Sequence, residues 1–385
     1  SVITFRDEGG KGKIYKDVDT SSAEKIIEAS KISDCTVNIL NGTYDLKNKS
    51  KGGFLLGNSG ITNIQQGKFT SSSETGNVVV LNIRGKANIS DGSFSALSES
   101  AISRTIQFSG NETSEISNCK IIAESEGDNS QSQGICLIAN SKATLMIKSS
   151  DIYAKSSGSS GKAYGIMCVD GVININNCKV VSNSLNDSQA ITRFSDGTGN
   201  IYIKDGQYEA TGNTMCVVKD ATSIDGGIFK GSTSDGQIWA IQDVVNIKNA
   251  KINCYATNDN KNRTAKVYAI FYSNKFNKDA LIENASVLCD YNLENVSDDY
   301  ICEGVQVSGD SPMQSLTINN CNVKATREAL SLASSNVYIN GGTYEGIRHG
   351  GAYFGCLKAV VKNATFRKWN YDGQFNKNNF YSYDA

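Results

Sequence analysis

The feature that most limits what this chain can fold into is a short motif repeated along nearly all of its 385 residues. It reads Ile, any residue, Asn or Asp, a small residue, any residue, apolar. Thirteen copies occur at intervals of 21 to 36 residues, beginning at Ile39, Ile64, Ile89, Ile116, Ile147, Ile175, Ile203, Ile224, Ile247, Ile282, Ile318, Ile339 and Val361. The fourth position is always small, as in Gly42, Cys119, Ala250 and Gly342, and the sixth is always apolar. The third is mostly Asn or Asp, including Asn118, Asn177, Asn249, Asn284, Asn320 and Asn363. This spacing predicts strand, bend, strand: a β-branched residue facing inward, a polar residue turning the chain, and a small one where backbones crowd. Stacked copies bring the Asn side chains above one another, where their amides can hydrogen-bond along the stack.

A further short strand precedes most copies, for example Thr105-Ile106-Gln107-Phe108, Gly165 to Val169, Ile238 to Ile241 and Val305 to Val307. Three strands per repeat, with period-two patterning and no helical stripe, make one coil. A single coil cannot bury its apolar face, whereas a stack can. The lone proline, Pro312, fits this reading, because every strand amide must donate to the next coil. At ~4.8 Å per coil the stack predicts a rod of roughly 60 Å.

This repeat resembles the right-handed parallel β-helix proteins of the pectin-lyase-like superfamily, over about residues 35 to 370. The expected fold is therefore all-β: a single-stranded right-handed parallel β-helix of about 13 coils, with an N-terminal capping helix. The pattern divides the chain into an N-terminal segment with its cap (1–34), the β-helix (35–370) and an aromatic-rich C-terminal cap or tail (371–385). The helix is expected over Thr20 to Ile32, where Ser21 and Glu24 have capping-box spacing. Trp369, Tyr371, Phe375, Phe380, Tyr381 and Tyr383 supply the closing aromatics. Long loops are expected at 124–133, 155–162, 257–266 and 292–300, all after the same strand of the coil and hence on one side.

Charge narrows the partners. With 38 Lys and Arg against 39 Asp and Glu, the chain lacks the basic surface that nucleic-acid binding needs. No apolar run is long enough for a membrane span. One histidine, His349, excludes two-histidine metal sites, and no cofactor motif is present. Eleven cysteines cannot all pair. Cys119, Cys178 and Cys321 fall in the small-residue column, and Cys136, Cys168 and Cys216 in apolar strands, as buried hydrophobes do. Cys254 and Cys289 share a column in consecutive coils, where a bridge is conceivable. Free thiols point to folding in a reducing compartment.

Enzymes of the resembled superfamily carry signatures that this chain lacks. The Arg-x-x-Pro-x-x-Arg run of pectate lyases is absent. Of the polygalacturonase pattern only fragments occur, at Asp298-Asp299 and Arg348-His349-Gly350. Arg327 and Arg348 share a column nine residues after Ile318 and Ile339. Such a pair is either an anion site for uronate or sulfate, with His349 as acid or base, or a surface pair satisfied by Glu328 or Glu345. Read by strict alternation, the outer face of the strand before the motif carries Leu137, Cys168, Val217, Ala240 and Ile270 in one column. Ile135, Ile166, Ile191 and Ile238 lie in the next. That apolar strip predicts a covered face and a homotrimer of parallel rods, unless the register is off by one.

The expectation is an attachment or structural protein of a virion or cell surface, as the tailspike-like members of the superfamily are, binding polysaccharide or surface glycan. The competing class is a polysaccharide lyase or glycoside hydrolase acting on acidic polysaccharide. Its candidate residues are Arg327, Arg348, His349, Asp298 and Asp299.

Overall fold

The computed structural model describes residues 2–5, 15–19, 25–29, 35–48, 53–194, 196–234, 236–256, 266–291, 301–333, 335–347 and 351–368. The described residues are strands, turns and bends with no helix, and their strands pair in parallel, stacked in chain order as in a parallel β-helix. Two compact units divide the chain, Ser1–Gln207 and Tyr208–Ala385.

Each repeat contributes a strand before the bend, a strand after it and, ahead of both, a strand of a separate lateral sheet. In the first unit the pre-bend strands Thr36–Ile39, Ile61–Ile64, Ala87–Ser90 and Thr113–Ser117 stack so that Ile39, Ile64, Ile89 and Ile116 fall in one register column. In the second, Ile224, Ile247, Ile282, Ile318 and Ile339 do the same. These isoleucines are no more than 2% exposed, so the first motif position is core in both units.

The bend itself shows why its third position is mostly Asn, Asp or Gly. Asp91, Asn118, Asn177, Asp205, Asn249, Asn284, Asn320 and Asn363 all take φ between 50° and 54°, the left-handed region that Asn and Asp tolerate best after Gly. In the copies with Asn41 and Gln66 at that place, the positive φ moves to the next residue, Gly42 or Gly67. One link of the expected amide stack forms here in the second unit, Asn284 Nδ2 donating to Asn249 Oδ1 at 3.4 Å, and Asn249 Nδ2 in turn donates to the carboxylate of Asp225, the second residue of its copy, at 2.7 Å. The first unit carries its ladder on the strand before the bend. Asn88 donates to Asn63 and Asn63 to Asn38, each at 2.8 Å. Sixth-position aromatics stack ring on ring: Tyr44, Phe69 and Phe94 at centroid spacings of 4.9 and 4.8 Å, and Tyr208 on Phe229 at 5.0 Å.

Two expectations need amendment. Lys25–Ala29, the middle of the anticipated capping helix, is a strand paired in parallel with Phe54 to Asn58. The rest of that span, and the aromatics from Trp369 onward, lie outside the described residues. The second amendment concerns the faces of the lateral sheet. Its pairing skips one residue in strand after strand up to Glu328–Ala333: Leu55, Val80, Thr105, Gly134, Gly165 and Ala190 in the first unit. In the second it skips Val217, Ala240, Ala269, Gly304 and Ala329. The skipped residue points inward. A Cβ on Gly165 would come within 2.4 Å of Val180 Cγ1 and 2.5 Å of the Ala190 carbonyl oxygen.

This irregularity resets the alternation, so that outward side chains lie three residues apart instead of two. Ile135, Ile166, Ile191, Leu137, Cys168, Ala240, Ile238 and Ile270 are therefore fully buried core residues and not an outer strip. The packing argument for a trimer rested on that strip and falls with it.

Candidate functional site

The corrected register gives the lateral sheet two outward columns. In the second unit the first runs Cys216, Trp239, Tyr268, Glu303, Glu328, on strands Thr214–Lys219, Gln237–Gln242, Lys266–Tyr272, Ile301–Val307 and Glu328–Ala333. The second runs Lys219, Gln242, Phe271, Gln306, Ser331. Strand neighbours ~4.8 Å apart thus bring an aromatic cluster up against a pair of carboxyl groups.

The aromatic part is compact. Trp239 lies over Tyr268 with ring centroids 6.5 Å apart and planes 17° from parallel, and Phe271 approaches the two rings at 6.3 and 5.2 Å. Tyr268 is buried, while Trp239 and Phe271 remain half exposed. A surface of this kind offers a ring face to an apolar or sugar-ring partner.

The acidic part is dry. Glu303 and Glu328 are 4% and 3% exposed, and Glu303 Oε2 has no hydrogen-bond partner among the described residues. Arg327 lies beside both, with Nε 3.6 Å from Glu328 Oε1 and Nη1 4.0 Å from Glu303 Oε1. Burial is the main reason the Glu303 carboxyl is pushed up to about 7. Repulsion from Glu328 adds to it, and Arg327 and a hydrogen bond with Ser331 oppose it. The same burial, with Glu303 nearby, pushes the Tyr268 phenol up to about 12. A carboxyl group raised toward neutrality donates a hydrogen bond in its protonated form and accepts one in its ionised form.

The corresponding columns of the first unit are built differently. Gln107 Nε2 donates to Asn82 Oδ1 at 3.2 Å, and Arg104 donates from Nε to Gln133 and from Nη1 to Gln107. Tyr164 and Gln189 both donate to Asp187, at 3.1 and 3.0 Å. Beside this network Cys136, Tyr164 and Met167 form a small buried cluster against Ile138 and Val169.

Among the anticipated site residues, Arg327 is placed in this group, facing two glutamates. Arg348, His349, Asp298 and Asp299 lie outside the described residues. Glu345, the other carboxylate considered for the arginine pair, accepts from Arg367 Nη2 at 2.7 Å, in a register column with Lys324. Alternation-based reading placed Tyr268 outward and missed Glu303 and Trp239. The signal was a three-residue spacing that recurs in Arg104/Gln107, Tyr268/Phe271, Glu303/Gln306 and Glu328/Ser331.

No group of three or more His, Cys, Asp or Glu side chains suited to a metal ion occurs among the described residues. No helix of the described residues is long and apolar enough to cross a membrane. The chain matches no described protein family, no curated protein and no solved structure.

Proposed function

We propose that this protein binds carbohydrate through the lateral face of its second unit. Trp239 and Phe271 serve as the stacking surface, and Glu303, Glu328 and Gln306 as hydrogen-bonding partners for sugar hydroxyls. The biological role that accompanies this reading is attachment or structure at a virion or cell surface, on a right-handed β-helix of the pectin-lyase-like kind. The observation that supports it is the run of three aromatic rings and two buried carboxyl groups on neighbouring positions of one sheet face. Charge balance fits a neutral or mildly acidic glycan better than a polyanion, which the two carboxyl groups beside the rings would disfavour.

A glycan array probed with wild type and Trp239→Ala tests the reading. Loss of one stacking ring should weaken binding about tenfold, which is about 1.4 kcal/mol. Equal binding by both proteins removes the face from consideration.

A second reading, cleavage of an acidic polysaccharide by hydrolysis or elimination, is favoured by one feature: a Glu303 carboxyl pushed up to about 7, with Glu328 on the adjacent strand. A carboxyl group so raised, with a second on the adjacent strand, suits an acid beside a partner base. Turnover of an arrayed glycan that disappears in Glu303→Gln selects this reading; binding without turnover selects the first.

A further inference from the structure

Three cysteines meet in the interior of the second unit. Cys254, on the strand Lys251–Ala256, is the register partner of Cys289 on Ser286–Tyr291. Cys302, the second residue of the lateral strand Ile301–Val307, faces Cys289 from the other sheet. The two sulfurs are 3.2 Å apart, and Cys302 Sγ is also 3.2 Å from the Cys289 carbonyl oxygen. All three thiols are at most 1% exposed. The small-column cysteines are arranged otherwise: Cys119, Cys178 and Cys321 each donate to a main-chain carbonyl two residues back, at 3.2, 3.5 and 3.3 Å.

A buried cysteine that serves only as a small hydrophobe has no need to aim its sulfur at another. Sulfurs 3.2 Å apart across two sheets need to close by only about 1 Å to reach the length of a disulfide bond. The backbone at both ends is held by parallel pairing, Cys289 with Cys254 and Cys302 with Val267.

We propose that Cys289 and Cys302 are an oxidisable dithiol, which hydrogen peroxide converts into a disulfide tying the post-bend sheet to the lateral sheet. Peroxide is small enough to reach such a site through local opening of the strand ends. Burial holds the Cys289 thiol well above its ordinary value, so ionisation belongs to the opened state: a thiol there loses its proton, its sulfur attacks a peroxide oxygen, the O–O bond breaks, and the released hydroxide takes up that proton as water, leaving a sulfenic acid. The partner sulfur then attacks that sulfur. The S–O bond breaks, hydroxide leaves and takes the second thiol proton as a second water, and the S–S bond forms. Two thiols are oxidised by two electrons in all, and one peroxide is reduced. Cys254 is the competing partner, because it stacks directly on Cys289.

The test uses the intact, folded chain. After exposure to hydrogen peroxide the protein is denatured, its remaining thiols are alkylated, and it is digested without reductant for mass spectrometry. The expected result is a peptide pair joined through Cys289 and Cys302, with nine of the eleven thiols alkylated and recovery of all of them after dithiothreitol. The bridge should persist in Cys254→Ser and be absent in Cys302→Ser. The wild-type peptide map decides the matter even if Cys302→Ser does not fold. A Cys254–Cys289 bridge, oxidation confined to the less buried Cys356, or both thiols remaining alkylatable overturns the proposal.

Discussion

On the lateral face of the first unit, Arg104, Gln107, Gln133 and Asn82 answer one another's hydrogen bonds. At the same kind of position in the second unit, Glu303 keeps a buried oxygen without a partner, and the neighbouring strands present Trp239 and Phe271 half exposed. The scaffolds below the two faces are alike: the same isoleucine column, the same left-handed bends, the same skipped residue in one lateral strand after another. Apart from where the asparagine ladder runs, what differs is the chemistry mounted at the two outward columns. A face whose polar groups satisfy each other has little left to offer a ligand, and one that leaves a carboxyl group unsatisfied beside aromatic rings holds binding capacity in reserve.

If the scaffolds are indeed equivalent, truncating the shared column should cost both units the same. Ile175→Ala in the first unit and Ile247→Ala in the second each remove a side chain that is at most 1% exposed. Each variant should lose about 2–5 kcal/mol in urea unfolding. A negligible loss in one of them shows that its column faces water, and the comparison between faces then loses its common ground.

How much of this was open to a reader of the sequence follows from where the pattern is periodic. The motif column was legible because Ile39 through Ile339 recur in one frame, and the bend was legible because few residue types tolerate its backbone. The lateral face was not, because a skipped residue breaks strict alternation without leaving a sequence gap. Counting back by two from Gln306 lands on Gly304, which is inside; the outward residue is Glu303, three back. Leu137, Ile166 and Trp239 were misplaced by a register one residue off along their strands, since Cys136 and not Leu137 pairs with the outward Gln107. Small residues at the skipped position, Gly134, Gly165, Ala190, Ala269, Gly304 and Ala329, were the available clue. They are small because the inward chain there meets the opposite strand at close range.

The unsatisfied carboxyl should mark the second unit in its pH dependence. Glu303 has an ordinary value of 4.5 and is pushed up to about 7, chiefly by burial. Between those values the folded protein holds a proton that the unfolded chain has released. Its effect on stability is therefore nil below the lower value and unfavourable above it, growing until pH passes the upper one. The cost reaches roughly 3 kcal/mol at pH 8. Glu303→Gln, which keeps the shape and removes the titration, should unfold at higher urea than wild type at pH 8 and at similar urea at pH 4. An unchanged difference between the two proteins across that range would assign the pH dependence to other groups and weaken the contrast between the faces.

The smallest effect belongs to the first unit, and it separates a structural network from a binding one. Arg104 serves two amide oxygens at once, which a planar guanidinium can do and a lysine ammonium does less well. Arg104→Ala leaves the amide oxygens of Gln107 and Gln133 to find other donors on a surface where Gln133 is 2% exposed. The expected cost is about 1–3 kcal/mol in unfolding free energy. Glycan binding should be unaltered, because this network has no unsatisfied group to lend. Reduced glycan binding in Arg104→Ala at unchanged stability reverses that assignment: the network would then belong to a ligand site, and the two faces would differ in their choice of side chains but not in what they are for.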